Sequence, residues 1–150
     1  MDNDALKDSE LLILELRRIR LYLEGAATRS LAKLGSNLSQ YTVLAILDEQ
    51  GELTMGVLAR HLGTTMGAVT NLVDKLVRAG RVDRQRSDQD RRVVRVRVLQ
   101  PGRDLVASVT RDTAEYLAGY FAAVSPDQRG IVVDVMARLV KAMRPTRDAV

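Results

Sequence analysis

A cluster of arginines is the part of this sequence best suited to do chemistry. Eight arginines and three aspartates lie between Arg78 and Arg97, so this stretch carries a net charge of +5. The whole chain of 150 residues carries +4, which leaves the remainder at −1. Such a local excess is typical of phosphate binding, and guanidinium groups make forked contacts to phosphates or base edges. An equal alternative is a solvated hairpin whose arginines keep a sheet edge from pairing.

The other reactive residue types exclude several kinds of site. The sequence has no cysteine, which excludes disulfides, zinc–cysteine sites and thiol sensing of peroxides. His61 is the one histidine, so a histidine cluster for zinc is excluded, and His61 is expected to be a surface or packing residue. Without a glycine-rich phosphate loop or a metal-ligand constellation, we predict no catalytic residues, no metal and no cofactor, and hence no enzyme.

Segments that would place the protein in or across a membrane are not expected. No apolar stretch approaches the ~20 residues that a membrane helix needs. The first residues are acidic, which argues against a secretory signal. We therefore predict a cytoplasmic protein.

Hydrophobic periodicity predicts the elements that must position the arginines. A long first helix is expected from Ala5 to about Leu34, with Gly25 as a point of local weakness. Short helices follow, with N-caps predicted at Ser39, Thr54 and Thr65 and ends at Gly51, Gly63 and Gly80. A long helix after Pro101-Gly102 and a last one, begun by a capping box at Ser125 and ended by Pro145, complete the chain.

The helix from Thr65 to Ala79 has two distinct faces. One face is small at its start, then hydrogen-bonding, then cationic, so its amino-terminal side chains could approach the bases of a nucleic-acid groove. An ordinary solvated surface is the alternative, since any surface helix has a polar side. The predicted core stripe is Met66, Val69, Leu72, Val73, Leu76 and Val77, and the opposite face is Gly67, Thr70, Asn71, Asp74, Lys75 and Arg78.

A basic hairpin is predicted directly after this helix. Valines and arginines alternate from Val94 to Val98, which indicates a half-buried strand, and Arg81 to Arg86 is its expected partner. The order helix, turn, helix, strand, basic loop and strand is that of a winged helix-turn-helix.

At this point the residues resemble the MarR family of bacterial transcription regulators. The resemblance is carried by Leu53-Thr54, Val57-Leu58-Ala59, Leu62-Gly63, the run from Val69 to Leu76, Gly80-Arg81-Val82 and Asp88-x-Asp90-Arg91-Arg92. It implies a mainly α (α+β) winged helix-turn-helix fold in a single chain, 1–150. It further implies dimerisation helices in 5–36 and 102–145, and a DNA-binding region with a two- to three-stranded wing in 37–100.

The resemblance also implies a function and a set of contacts. The protein would be a homodimeric repressor on a palindromic double-stranded DNA operator, with helix 65–79 in the major groove and wing 84–97 on the backbone and minor groove. Either Arg91 or Arg92 would enter the minor groove, with Asp90 orienting an arginine or serving as a turn residue. Whether Arg81 touches phosphate is left open. The residues expected at DNA are Thr64, Thr65, Gly67, Thr70, Asn71, Lys75, Arg84, Arg86, Arg91 and Arg92.

A small aromatic or anionic effector that releases DNA is a further expectation from the resemblance. Its candidate ligands are Arg17, Arg20, Tyr22, Tyr41 and Tyr116, although each of these also suits a structural role. The alternative function is a winged-helix module that binds protein or RNA without an operator. The arginine-rich wing argues against that alternative, because a purely protein-binding domain has no need of it.

Overall fold

The computed structural model of the protein describes residues 3–86 and 93–143. It confirms the predicted mainly helical winged helix-turn-helix architecture. In chain order the elements are α1 (Asn3–Lys33), α2 (Leu38–Gln50), β1 (Leu53–Thr54), α3 (Met55–Leu62), α4 (Met66–Arg78), β2 (Val82–Arg86), β3 (Val94–Val98), α5 (Gln100–Phe121) and α6 (Pro126–Met143).

The three strands form one small antiparallel sheet in the order β1-β3-β2. Strands β2 and β3 pair from Val82 opposite Val98 to Arg86 opposite Val94, and β1 adds Leu53 opposite Val96. Val82, Val96 and Val98 are buried while Arg95 and Arg97 are exposed. The alternation in the sequence thus becomes one face on the core and one face toward solvent, as predicted.

The chain divides into two compact units, Met1–Ala114 and Glu115–Val150. The core of the first unit collects the end of α1, helices α2 to α4, the sheet and the start of α5. Burial of a leucine or valine side chain contributes about 1.5–3 kcal/mol, so this cluster dominates the stability of the unit. Its fully buried side chains include Leu31, Val43, Leu44, Leu47, Leu58, Val69, Val73, Leu76, Val96 and Val109.

Helix ends in the first unit follow the predicted punctuation with two exceptions. Helix α5 begins at Gln100, so Pro101-Gly102 lies in its first turn, where proline is tolerated, and not before it. Gly51 and Gly63 end α2 and α3 with positive φ angles of 81° and 58°. The cap of α2 is Asn37 and not Ser39, because the Asn37 Oδ1 accepts from the Gln40 backbone N–H at 3.0 Å. Helix α1 continues unbroken through Gly25, since the following Ala26 and Ala27 are buried by packing.

The second unit contains the end of α5 and helix α6. The predicted capping box is present: the Ser125 N–H donates to Gln128 Oε1 and the Gln128 N–H donates to Ser125 Oγ, at 3.2 and 3.4 Å. Pro126 occupies the first helical position. The end predicted at Pro145 lies outside the described residues.

Membrane insertion finds no support in the described ranges, where every helix is too short or too polar to span a bilayer.

Candidate nucleic-acid interface

Helices α3 and α4 form the helix-turn-helix through matched caps. The Thr54 Oγ1 accepts from the Val57 N–H at the start of α3, and the Thr65 Oγ1 accepts from the Ala68 N–H at the start of α4, both at 3.3 Å. Gly63 lies between the helices in the left-handed conformation, which only glycine adopts without strain. The predicted caps at Thr54 and Thr65 are therefore confirmed.

The first turn of α4 presents a flat, open surface. Thr64, Thr65 and Gly67 are exposed. A Cβ atom at Gly67 would meet nothing nearer than the Thr65 Oγ1 at 4.0 Å. The glycine is therefore not required by packing, and the lack of a side chain leaves the helix backbone open at this point.

The middle of α4 separates core from solvent, as its two faces predicted. Val69, Val73 and Leu76 are fully buried, whereas Asn71 and Lys75 are exposed. Thr70 is half-buried, and its hydroxyl donates to the Met66 carbonyl oxygen at 2.8 Å. Its oxygen can still accept a hydrogen bond.

Two residues of the predicted core stripe were wrongly placed. Met66 is 50% exposed and Val77 is 40% exposed. Both lie at the edge of the apolar stripe, beside Thr70 and Asp74, when α4 is drawn with 3.6 residues per turn. Met66 is also the first residue of the helix, where fewer neighbours cover it. A large apolar side chain therefore stands among the polar groups of the candidate interface, which the hydrophobic pattern alone did not separate from the core.

Ion pairs hold most of the described arginines of the wing. Arg84 Nη1 lies 2.9 Å from Asp74 Oδ1 of α4. Arg97 Nη2 lies 2.8 Å from Asp83 Oδ2, its cross-strand neighbour. Arg95 Nη1 lies 3.5 Å from Glu52 Oε1. Asp74 and Glu52 lie outside the stretch that carries +5, so the local excess overstates the charge available to a ligand.

The other described arginines of the basic segment 78–97 have different surroundings. Arg86 is exposed at the end of β2 and makes no ion pair within the described ranges. Arg91, Arg92 and Asp90 lie outside the described residues, so their predicted roles stay predictions. Arg81 points inward, because its Nη2 donates to the Leu34 carbonyl oxygen at 2.8 Å.

A cavity of about 300 Å³ opens beside the start of α4. No local sequence pattern indicates this cavity, because its walls come from β1, α3, α4, β2 and β3 at once. One guanidinium and two threonine hydroxyls face a mainly apolar lining. The lining residues are Thr54, Met55, Gly56, Met66, Thr70, Arg84, Val93 and Val94.

The residues predicted to bind an effector belong to different helices. Arg17 and Tyr22 are exposed on α1, and Arg20 Nε lies 3.4 Å from Glu24 Oε1. Tyr41 is half-buried against the core of the first unit. Tyr116 belongs to the second unit, where its ring centroid lies 5.2 Å from that of Tyr120. A shared pocket for these residues remains a prediction.

Metal ligation has no candidate in the described part of the chain, since no three histidine, aspartate or glutamate side chains there converge on one point. His61 is exposed on α3, beside Val57 and Arg60.

Known proteins resemble both the sequence and the fold. The family model described as "MarR family" matches residues 36–94. The HTH-type transcriptional regulator Mb0904 of Mycobacterium bovis is 33% identical over 107 residues, which cover 69% of this chain and 75% of that protein. The chain spans 64% and 88% of the length of two Bacillus subtilis regulators that it also matches.

Solved structures share the architecture. A MarR family protein from Bacillus stearothermophilus superposes with a TM-score of 0.75 at 26% identity, covering 95% of this chain and 98% of that one. A MepR mutant from S. aureus bound to an oligodeoxyribonucleotide superposes with a TM-score of 0.64 at 21% identity, covering 89% and 98%. With the winged helix-turn-helix geometry and the sequence identity in agreement, this chain belongs to the MarR family of HTH-type transcriptional regulators.

Proposed function

We propose that the protein is a homodimeric repressor that binds a two-fold symmetric DNA operator. The main support for this proposal is the Arg84–Asp74 ion pair, which connects α4 directly to the wing. It places an open helix face and an arginine-bearing hairpin side by side in one compact unit. A duplex can meet both at once, the helix in its major groove and the hairpin on the adjoining backbone.

Helix α4 supplies the groups suited to base edges. Asn71 can donate and accept toward an adenine edge, and Lys75 can reach a guanine edge or a phosphate. The exposed Thr64, Thr65 and Gly67 allow the helix N-terminus to lie close to the backbone, where its free N–H groups favour phosphate. Met66 adds an apolar surface that matches a thymine methyl group.

The wing supplies the groups suited to phosphate. Arg86, which makes no ion pair with another described residue, is suited to such a contact, and Arg91 and Arg92 are the proposed minor-groove residues. Arg84 reaches DNA only by exchanging Asp74 for a phosphate oxygen. Because both members of that pair are substantially exposed, the exchange costs little.

A second copy of the chain is the proposed cover for the apolar surface of α1 and α6. On α1, Leu11, Ile13, Leu16, Ile19 and Leu21 are exposed. On α6, which has no buried residue, Ile131, Val133, Val140 and Met143 are exposed. Large exposed apolar patches are typical of interaction surfaces, and a two-fold dimer buries the same surface of both copies.

The experiment is a selection of duplexes from a random pool with the purified protein, followed by affinity measurements from 50 to 200 mM salt (about a fourfold range). We expect an inverted repeat with half-sites about 10 bp apart and a slope of log K against log salt near −0.9 per phosphate contacted. A shallow slope with no symmetric consensus would support the protein- or RNA-binding alternative. Repression, as opposed to activation, is tested by transcription from the selected operator in vitro.

Effector-controlled release is proposed for the cavity beside α4. Arg84 and Thr70 offer a cation and a hydroxyl, and Met55, Met66 and Val94 offer apolar walls, which suits a small anion with an apolar body. A bound carboxylate would compete with Asp74 for Arg84 and occupy the space between α4 and the wing. Small aromatic carboxylates should then release the operator at lower concentration from the wild-type protein than from Thr70→Val, with each protein compared to its own operator affinity without carboxylate. The same titration with Arg17→Met and Arg20→Met tests the residues of α1.

A further inference from the structure

The side chain of Arg81 makes a hydrogen bond at the carboxyl-terminal end of α1. Its Nη2 donates to the Leu34 carbonyl oxygen at 2.8 Å, and Arg81 is half-buried. Leu34 follows the last residue of α1, and the carbonyls of a helix end lack partners within the helix. A cation at this end also opposes the negative pole of the helix dipole. Arg81 therefore satisfies the carboxyl-terminal end of α1 from 47 positions along the chain.

The backbone of Arg81 joins the recognition helix to the sheet. Its N–H donates to the Leu76 carbonyl and the Gly80 N–H donates to the Val77 carbonyl, both at 2.9 Å, which closes the end of α4. The Arg81 carbonyl accepts from the Leu99 N–H at 2.9 Å, just before α5. Arg81 thus forms a joint between the end of α1, the end of α4 and the start of α5.

Close packing at Gly102 holds the same joint from the other side. A Cβ atom at this position would lie 2.5 Å from the Arg81 carbonyl oxygen and 2.8 Å from Val98 Cγ2. The first turn of α5 therefore runs against the Arg81 backbone with no room for a side chain. A shift of α5 against Arg81 or Val98 would cause a clash, so this packing ties the backbone after α4 to α5. The Arg81 side chain ties the same backbone to α1.

We infer that Arg81 is a positioning residue that fixes α4 relative to α1, and thereby sets the half-site spacing that the dimer accepts. The inference rests on the proposed function, since only a dimer on a two-fold operator selects a spacing. Arg81 acts through the joint and not on DNA, because its guanidinium is directed at Leu34. Loss of the hydrogen bond leaves each recognition helix intact but lets its angle to α1 vary.

The test compares the wild type with Arg81→Met, which keeps the length but removes the donors, and Arg81→Lys, which keeps the charge. Arg103→Met is the matched control. It removes one arginine from the start of α5, where Arg103 makes an exposed pair with Asp48 at 3.4 Å. Binding is measured from about 50 to 200 mM salt. The duplexes are the selected operator, the operator with one base pair inserted or deleted, and a duplex with one half-site scrambled.

Arg81→Met should lose up to about tenfold in affinity for the selected operator, because an α4 that is free to tilt must be ordered again when it binds DNA. Its affinity for the altered spacings and for the single half-site should equal that of the wild type. The ratio of its affinities for the selected and the altered spacings therefore falls. Arg81→Lys should recover part of that preference, and Arg103→Met should keep all of it.

Three results would overturn the inference. The first is a spacing preference that persists in Arg81→Met. The second is an equal loss of affinity on every duplex together with a shallower slope of log K against log salt, which would mark Arg81 as a phosphate contact. If the wild type shows no spacing preference, the two-fold operator model fails and the inference fails with it. Failure of the proposed function is therefore seen in the wild-type protein itself, whereas failure of the inference alone is seen only in Arg81→Met.

Discussion

Asp74 Oδ1 on the recognition helix lies 2.9 Å from Arg84 Nη1 on the first wing strand. The pair joins the two elements that the proposed DNA complex requires. It also occupies a guanidinium that the sequence assigned to phosphate. The carboxylates of Asp74, Asp83 and Glu52 thus moderate the charge of the wing, and phosphate must replace them before these arginines bind DNA.

Replacing Asp74 with asparagine should raise the affinity for DNA of any sequence by roughly two- to fivefold, because Arg84 becomes available and one repelling charge is lost. The slope of log K against log salt should become steeper by up to about 0.9. Glu15→Gln is the control, since it removes a carboxylate that pairs with Arg18 on α1 at 2.6 Å. Equal gains in both variants would mean that net charge alone is responsible.

Met66 should contribute to DNA recognition and not to stability. Because it is 50% exposed, Met66→Ala should lower the free energy of unfolding by less than about 1 kcal/mol, whereas the fully buried Leu76→Ala should lower it by about 2–5 kcal/mol. Urea denaturation compares the two. A cost for Met66→Ala near that of Leu76→Ala would restore Met66 to the core.

Recognition of thymine methyl groups by Met66 is checked on the same variant. Replacing single thymines of the selected operator by uracil should weaken the wild-type protein at one position of each half-site. Met66→Ala should be insensitive at that position.

Replacing both Arg91 and Arg92 with alanine should weaken binding to the operator and to random DNA alike, because wing contacts to the backbone carry little sequence information. Replacing Asn71 should instead relax base preference at specific positions by about 1–3 kcal/mol. Anisotropy titrations on both kinds of DNA separate the two effects. Undiminished operator affinity in the double variant would remove these arginines from the interface.

Gly102→Ala should lower the free energy of unfolding by about 1–3 kcal/mol or more, because the new Cβ atom would overlap the Arg81 carbonyl oxygen. Gly56→Ala on α3 is the control. A Cβ there meets nothing within 4 Å, so this change should be neutral or stabilising by up to about 1 kcal/mol. A thermal melt that leaves Gly102→Ala unchanged would contradict the close packing at this joint.

Local signals in the sequence were sufficient for the elements themselves. The caps Thr54 and Thr65, the end at Gly63 and the capping box at Ser125 act within a few residues, so their hydrogen bonds follow from sequence spacing. The Ser39 prediction failed at the same scale, because Asn37 is an equally good cap two residues earlier. Met66 and Val77 failed because periodicity finds a stripe but does not locate its edges.

What the sequence determined by itself was the order of elements, the alternating strand and the presence of a basic segment. These depend on neighbours along the chain. Only the tertiary structure decided which carboxylate or carbonyl group each arginine contacts. Arg84 meets Asp74 across 10 positions, Arg97 meets Asp83 across 14, and Arg81 meets Leu34 across 47. The physical reason is that ion pairs and helix-end contacts between distant residues depend on strand register and helix packing, which no local pattern encodes.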